Sequence, residues 1–284
     1  MAGPRFPVAH SASLAGPSTL AGGCWWDRRW RLVCWCLLAS SGLLAIDVGV
    51  SFGSEGARVG MGVSTMSEAQ SGSLLVVYFR DFLNNRDVEE FRKRVEARYN
   101  EGTLGRILAG SPDALARRAA VLSLGILGTF EQSNASLGRA LSDQDLAVRS
   151  MAEDALWAVW FRADTPAHNQ TLDEVRAAIN RKQLDKAEKL ATQLIAEAPN
   201  FAEAYNQRAI IFFLQGRFAE SAQDCENVIE RNPFHIGAIE GMAQCQLQLN
   251  RNRDALKTLR RALKLRPHNT GLRESIQELE QQIE

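Results

Sequence analysis

Three prolines recur at a fixed distance in the last third of the chain. Pro199, Pro233 and Pro267 stand 34 residues apart, and each closes an apolar run with helical periodicity. A proline ends such a run because it has no backbone N–H and its ring clashes with the preceding helical turn. A fixed period of this length is typical of stacked supersecondary units that bury their apolar faces against one another. The sequence therefore predicts a repeat array to which the upstream part of the chain is attached.

Other residues keep the same register as the prolines. A small residue stands twelve positions before each proline, at Ala187, Ser221 and Ala255. We expect two helices to cross too closely there for a larger side chain. A turn is expected at Lys182, Gly216 and Asn250. Glycine and asparagine suit a turn that needs a positive φ, and lysine suits it less. We therefore predict that each unit consists of a helix, a tight turn and a second helix.

The middle unit carries the residues of a known family. Its signature positions hold Tyr205, Ala209, Phe212, Gly216, Phe218, Ile229 and Pro233. This pattern resembles the tetratricopeptide repeat (TPR), particularly as it occurs in bacterial proteins. The resemblance implies three units, at residues 168–201, 202–235 and 236–269. In the first of them, Thr171 stands where the family usually has an aromatic residue.

A second internal repeat precedes these units. Residues 104–108 recur as residues 137–141, and Arg117 recurs as Arg149 within an Arg-x-x-Ala-x-x-x-Leu pattern. This pair resembles HEAT repeats, in which an aspartate and an arginine hold successive units together. The resemblance implies a pairing of Asp113 with Arg149, or of Asp145 with Arg117.

Helix starts and connections are also predicted from short motifs. Ser111 followed by Pro112 predicts a helix N-cap and first residue. Residues 163–170 are expected to be a joint between the two kinds of repeat, and Thr171 with Glu174 to restart the helix as a capping box. The apolar group at residues 156–161 is expected to cover the start of the TPR array.

These patterns together predict an all-α fold, a right-handed α-solenoid of helix-turn-helix repeats. We expect a HEAT-like domain at residues 71–165 and a TPR domain at residues 166–284. A narrow apolar stripe in residues 271–283 predicts a capping helix, with one face on the last repeat and the other in water.

Residues 1–70 have a different composition, rich in Gly, Ala, Ser and Pro. Arginines precede the apolar run 32–46, so residues 28–46 resemble the basic and apolar segments of a secretory signal or an anchor. The run is shorter than the span of about 20 residues that a membrane helix needs. The alternatives are a disordered leader, a true translation start at Met66, a signal or anchor, and a folded element. The predicted location is cytoplasmic, with export or membrane anchoring through residues 28–46 as the alternative.

No motif for chemistry stands out in the sequence. There is no Gly-rich phosphate loop, no nucleophile and base in a known family context, and no Cys/His spacing that matches a zinc site. The formal net charge is zero, which gives no electrostatic reason for nucleic acid as a partner. We therefore predict a protein that is not an enzyme, with no cofactor, no metal and no small-molecule substrate. Cys225 and Cys245 replace apolar residues on helices, as buried free cysteines do.

The expected function is protein binding. In TPR proteins, positions two, five, nine and twelve of each unit share one face of the first helix, which lines a concave groove. Carried over to this chain, the groove residues are Asn169, Leu172, Arg176, Ile179, Glu203, Asn206, Ile210, Phe213, Gly237, Glu240, Gln244 and Leu247. This set predicts a scaffold or adaptor that holds a peptide or helix of a partner protein. The alternative is an envelope-associated assembly factor anchored through residues 32–46.

One subclass of TPR proteins clamps the C-terminal carboxylate of chaperones with lysine and asparagine side chains on this face. Leu172 and Glu240 occupy positions where that clamp carries cations, and Arg176 and Gln244 do not restore the pattern. We therefore do not expect a clamp of this kind.

Overall fold

Thirteen helices and no strand make up the part of the protein that the computed structural model describes, residues 74–283. These residues belong to one compact unit of the chain. The helices are α1 (Leu74–Asn85), α2 (Val88–Glu96), α3 (Glu101–Gly110), α4 (Ala114–Leu127), α5 (Phe130–Ala140), α6 (Leu146–Trp160), α7 (Pro166–Asn180), α8 (Leu184–Glu197), α9 (Ala202–Leu214), α10 (Phe218–Arg231), α11 (Ile236–Gln248), α12 (Asn252–Leu265) and α13 (Thr270–Ile283). The protein is an all-α repeat solenoid, as the sequence predicts.

The predictions about the start of the chain fall outside this range. They concern the leader at residues 1–70, the start at Met66 and the signal or anchor at residues 28–46. Within residues 74–283, none of the helices combines the length and the apolar character that crossing a membrane requires.

Helices α1–α6 form what we call the first half. Its internal sequence repeat is matched by equivalent side-chain contacts. Arg117 donates hydrogen bonds to the carbonyl oxygens of Ser111 and Pro112, at the start of α4. Arg149 donates to the carbonyl oxygens of Asp143 and Gln144, the equivalent loop before α6. Each arginine therefore closes the loop ahead of its own helix, and the two helices are structurally equivalent.

The expected pairs between these two units are wrong. Arg117 forms a bidentate ion pair with Asp143, with both distances at 2.9 Å, and Arg118 pairs with Asp145 at 2.6 and 2.9 Å. Two adjacent arginines of α4 thus hold two aspartates of the loop before α6. The sequence pattern identified the type of contact, but spacing alone could not show which of the neighbouring residues faces the next unit.

Two predicted helix starts are also wrong. The N-cap of α4 is Asp113, whose side chain accepts from the backbone N–H of Leu115, while Ser111 ends the preceding helix. Helix α7 begins at Pro166 rather than near Thr171. Thr165 caps it through the N–H of His168, and proline is well suited to the first helical position because its missing N–H has no partner there anyway.

Residues 166–284, which the sequence predicts to be TPR units, follow the predicted register closely. Positive φ angles occur at Lys182 (59°), Gly216 (76°) and Asn250 (57°), the three expected turn positions. The small residues at the helix crossings are all buried: Ala187, Ser221 and Ala255. Ser221 also donates a hydrogen bond of 2.7 Å to the carbonyl of Ala209 on the facing helix. A small side chain is therefore needed at this crossing for close approach, and here it adds a hydrogen bond between the helices.

The last helix covers the apolar end of the array. Leu272, Ile276 and Leu279 of α13 are buried in the same core as Ala255 and Leu259 of α12. The other face of α13 is exposed and polar. The narrow apolar stripe therefore has the packing role that a terminal helix of a solenoid needs.

Candidate partner-binding face and its internal contacts

Helix α6 of the first half contacts the TPR region through its aromatic side chains. The ring of Trp160 stacks on His235 at a centroid distance of 4.3 Å, and Trp157 meets the same histidine edge-on at 5.2 Å. His235 is the N-cap of α11, and its Nδ1 accepts from the backbone N–H of Ala238. The apolar group at residues 156–161 therefore lies against the junction of the second and third units, and not only against the start of the array.

A buried polar network lies behind this histidine. Glu203 of α9 accepts hydrogen bonds from the amides of Asn206 and Gln207, both at 2.7 Å, and its second oxygen is 3.0 Å from His235 Nε2. His235 is fully buried and Glu203 is 1% exposed. Buried polar groups cost free energy unless they are paired, so this network is stable only when all its members are in place.

A chain of amide contacts extends the same interface. Trp160 Nε1 donates to Asn134 Oδ1 at 2.8 Å, and Asn134 Nδ2 donates to Asn232 Oδ1 at 3.0 Å. Asn134 lies on α5, whereas Asn232 follows α10 in the TPR region. The side chains of Asn134 and Asn232 are buried. These directional contacts fix the position of the first half against the TPR units.

Close packing accompanies the polar contacts. Gly138 of α5 lies directly against the ring of Phe234, so that a Cβ atom at position 138 would overlap the ring. Residue 138 must therefore be glycine for the two parts to approach this closely. Trp157 packs in the same way on Gly237, at the start of α11.

Charged residues complete the interface. Arg266, which is 7% exposed, forms ion pairs with Glu153 of α6 and with Glu240 of α11. Arg176 of α7 lies over the ring of Phe161 at 4.0 Å and pairs with Asp173 at 2.8 Å. An arginine of the first TPR unit and an arginine at the end of the third are thus held against the first half.

These contacts remove several predicted groove residues from the accessible surface. Leu172 and Ile179 are core residues, at 0% and 8% exposure. Asn169 closes the preceding loop, because its amide bonds to both backbone groups of Asp164. Five further members of the predicted set contact the first half or its buried network, and we call them the covered half of the groove: Arg176, Glu203, Asn206, Gly237 and Glu240. Aromatic side chains of the chain itself therefore lie against part of the predicted groove: Phe161 against Arg176, and Trp157 against Gly237.

Four predicted groove residues lie toward the C-terminal ends of α9 and α11. Ile210 and Phe213 of α9, and Gln244 and Leu247 of α11, are half-buried. They stand at equivalent positions of the second and third units, and we call them the open half of the groove. Leu214 next to Phe213 is 45% exposed. Apolar side chains are therefore accessible near the ends of α9 and α11.

Sequence reasoning missed the polar residues of the interface, chiefly Asn134, Asn232 and His235. A signal for one of them was present. His235 stands at the position that Phe201 holds in the first unit, and Phe201 is buried. A histidine in place of a buried aromatic residue indicates a specific partner, which Glu203 and Trp160 supply. Asn134 and Asn232 carry no comparable signal, because a single asparagine within a helix or just after its end does not by itself indicate a buried contact.

The pKa values of Cys225, Cys245 and Asp154 are shifted. Burial raises the pKa of the Cys225 and Cys245 thiols, so both stay protonated and behave as core residues. Asp154 of α6 is exposed to solvent, but neighbouring protein and the charge of Glu153 raise its pKa to about 6. Its carboxyl group therefore titrates well above the usual range of an aspartate. Among residues 74–283 there is no group of His, Cys, Asp or Glu side chains that could hold a metal ion.

Comparison with known protein families identifies the repeats. Two family models, both described as tetratricopeptide repeat, match residues 172–236 and 212–275. A TPR repeat-containing protein of Rhizobium etli is 27% identical over 124 residues, which are 44% of this chain. The match spans 61% of the length of that relative. The chain therefore contains tetratricopeptide repeats, in the region where the prolines and small residues predict them.

Similar solved structures are also TPR domains. The first TPR of Spaghetti, bound to an HSP90 peptide, is 19% identical, covers 42% of this chain and 95% of its own, and has a TM-score of 0.40. The Sgt2 TPR domain of Aspergillus fumigatus is 20% identical. The match covers 42% of this chain and 80% of that domain, with a TM-score of 0.39. The TPR2AB domain of yeast Sti1, in a complex with pHSP90, is 20% identical. The match covers 73% of this chain and 95% of that domain, with a TM-score of 0.36.

Proposed function

We propose that this protein is a non-catalytic scaffold that binds a segment of a partner protein on the open half of its TPR groove. The partner segment is a peptide or helix that presents apolar side chains to Ile210, Phe213 and Leu247. The observation that carries this proposal is the presence of accessible apolar residues at equivalent positions of two successive TPR units. Apolar side chains spaced along a groove suit a helix or an extended peptide.

The contact with α6 defines where such a segment can lie. The covered half is filled by aromatic residues of the chain itself, so the partner would contact the C-terminal ends of α9 and α11 rather than their starts. Gln244 supplies a polar group beside Leu247, which can fix the direction of a bound backbone by hydrogen bonding. The covered half would have a supporting role and would hold the open half in a fixed geometry.

The domain assignment belongs to the same proposal. Residues 71–165 would form a HEAT-like domain that covers part of the groove, and residues 166–284 the TPR domain. The equivalent contacts of Arg117 and Arg149 support two similar units in the first half. In this arrangement the first half limits which partners can bind, because it leaves only one end of the groove accessible.

Affinity capture with the full chain as bait tests the proposal. The parent protein is compared with a variant that carries Phe213→Ala and Leu247→Ala, and each captured protein is then titrated against both forms. We expect the variant to bind a groove partner at least about tenfold more weakly, because two apolar contacts of about 1 kcal/mol or more are lost.

A variant with Leu146→Ala is the matched control. Leu146 is a 71% exposed apolar residue at the start of α6, and it belongs to neither half of the groove. The control should bind like the parent. Equal binding by the groove variant, with its fold verified by circular dichroism, would show that the open half is not the binding surface.

A further inference from the structure

The outer face of α12 carries a row of positive charges. Five cations, all exposed, lie along one side of the helix within three turns, or about 16 Å: Arg253, Lys257, Arg260, Arg261 and Lys264. The opposite side of the helix holds the buried residues Ala255, Leu259 and Ala262. We call these five cations the basic ridge.

Much of this charge is not neutralised by the surrounding residues. Lys257 pairs with Asp254, and Arg260 with Glu280 of α13. The side chains of Arg253, Arg261 and Lys264 form no ion pair or hydrogen bond with any other residue in the range 74–283. Like charges at this spacing repel one another in the free protein, so a ligand with negative charge in the same spacing would relieve the repulsion.

Acidic residues flank the ridge. In α10, the outer helix of the preceding unit, Glu226 and Glu230 occupy the positions equivalent to Arg260 and Lys264, and both are exposed. On the other side, α13 packs against α12 and exposes Glu274 and Glu278. A broad anionic surface, such as a lipid bilayer or a nucleic acid duplex, would bring its own negative charges against these glutamates. A narrow ligand would avoid them.

We propose that the basic ridge is a second docking surface, separate from the groove, for an acidic segment of a partner protein. The charge pattern fits a single helix or strand that carries carboxylates at intervals of three and four residues and lies along α12. Electrostatic complementarity of this kind mainly raises the association rate and the specificity of a complex. The ridge would therefore orient a partner whose other segment is bound elsewhere.

A designed helical peptide is a suitable probe. Its glutamates are spaced four, four and three residues apart, to match Arg253, Lys257, Arg261 and Lys264, with alanine and glutamine elsewhere. A second peptide has the same composition, but its glutamates are spread around the helix. Fluorescence anisotropy with the full chain at low salt should show tighter binding of the first peptide, and the binding should weaken as salt is added.

Paired charge reversals test whether the ridge is responsible. Arg261→Glu with Lys264→Glu should weaken binding of the matched peptide about tenfold or more, because two surface ion pairs are replaced by repulsion. The control is Lys186→Glu with Lys189→Glu, two exposed lysines on α8, the outer helix of the first unit. The control should bind like the parent, and so should Phe213→Ala, which separates this surface from the groove.

Two results would overturn the proposal. One is equal binding of the matched peptide by the ridge variant and the control. The other is an absence of preference between the two peptides, combined with binding of phosphatidylserine vesicles or single-stranded RNA that depends on Arg261 and Lys264. In that second case the ridge would be a general anion-binding surface and not a site for a protein segment.

Discussion

Three different residue types adopt the same left-handed backbone conformation in the turns of the TPR units. Lys182, Gly216 and Asn250 all have φ angles between 57° and 76°. The position was predictable, because each lies at the same distance from its proline. Glycine adopts this conformation without a steric cost, asparagine tolerates it, and lysine is strained by its Cβ atom. The turn of the first unit is therefore the least favourable of the three.

Exchanging residues between these turns should change stability in opposite directions. Lys182→Gly should raise the free energy of unfolding by up to about 1 kcal/mol, because the strain of a positive φ is removed. Gly216→Ala should lower it by about 1 kcal/mol, and the added methyl group has open space around it, so the cost comes from the backbone alone. Urea unfolding measures both values. A loss of stability in Lys182→Gly would contradict the strained turn.

At the level of helices and their connections, periodicity predicted the elements better than short motifs predicted their ends. The helical pairs and the crossings at Ala187 and Ala255 follow from a pattern repeated over many residues. The starts of α4 and α7 were misplaced because several candidate caps lie close together, such as Ser111 and Asp113. The choice between them depends on the direction in which the chain enters the helix, which packing decides. The Arg118 and Asp145 pair was missed for the same reason.

The contribution of the Arg118–Asp145 ion pair can be separated from that of the helix N-cap by comparison with a second capping aspartate, Asp113. Asp145 caps α6 and pairs with Arg118, whereas Asp113 caps α4 and forms no ion pair with the described residues. Asn is an equally good cap. Asp145→Asn should therefore lower the free energy of unfolding by about 1 to 2 kcal/mol at pH 7, and Asp113→Asn should change it by less than about 0.5 kcal/mol. Equal effects of the two variants would show that the cap, and not the ion pair, is what matters.

The Arg118–Asp145 pair should also make the free energy of unfolding depend on pH. Hydrogen bonding to Arg118 lowers the pKa of Asp145 to about 2, below the usual range of an aspartate. A lowered pKa in the folded state gives stability that is present above about pH 4 and is lost as the pH falls through about 2. The Asp145→Asn variant should lose less stability than the parent over this range. A parallel loss in both proteins would contradict the assignment of this shift.

For the molecule as a whole, the sequence predicted the repeats but not their arrangement around the groove. Repeat registers describe contacts between neighbouring units, whereas the contact of α5 and α6 with the junction before α11 joins residues about 100 positions apart, such as Asn134 and Asn232. No periodic pattern encodes such a contact. In the proposed function this contact matters, because the aromatic face of α6 would leave only the open half of the groove for a partner.

The most direct test of this arrangement is a disulfide between α5 and the TPR region. Gly138 lies against the ring of Phe234, so cysteines at both positions would be near each other, and a disulfide needs Cβ atoms about 3.5 to 4.5 Å apart. The double variant Gly138→Cys with Phe234→Cys is oxidised mildly, and the link is located by mass spectrometry of proteolytic peptides. The control combines Phe234→Cys with Asp185→Cys, an exposed position at the start of α8, and keeps Gly138. We expect rapid and nearly complete linkage of residues 138 and 234 within one chain, and none in the control. Failure of the first pair to link, in a protein that is folded, would contradict the covered groove and with it the binding surface proposed for this protein.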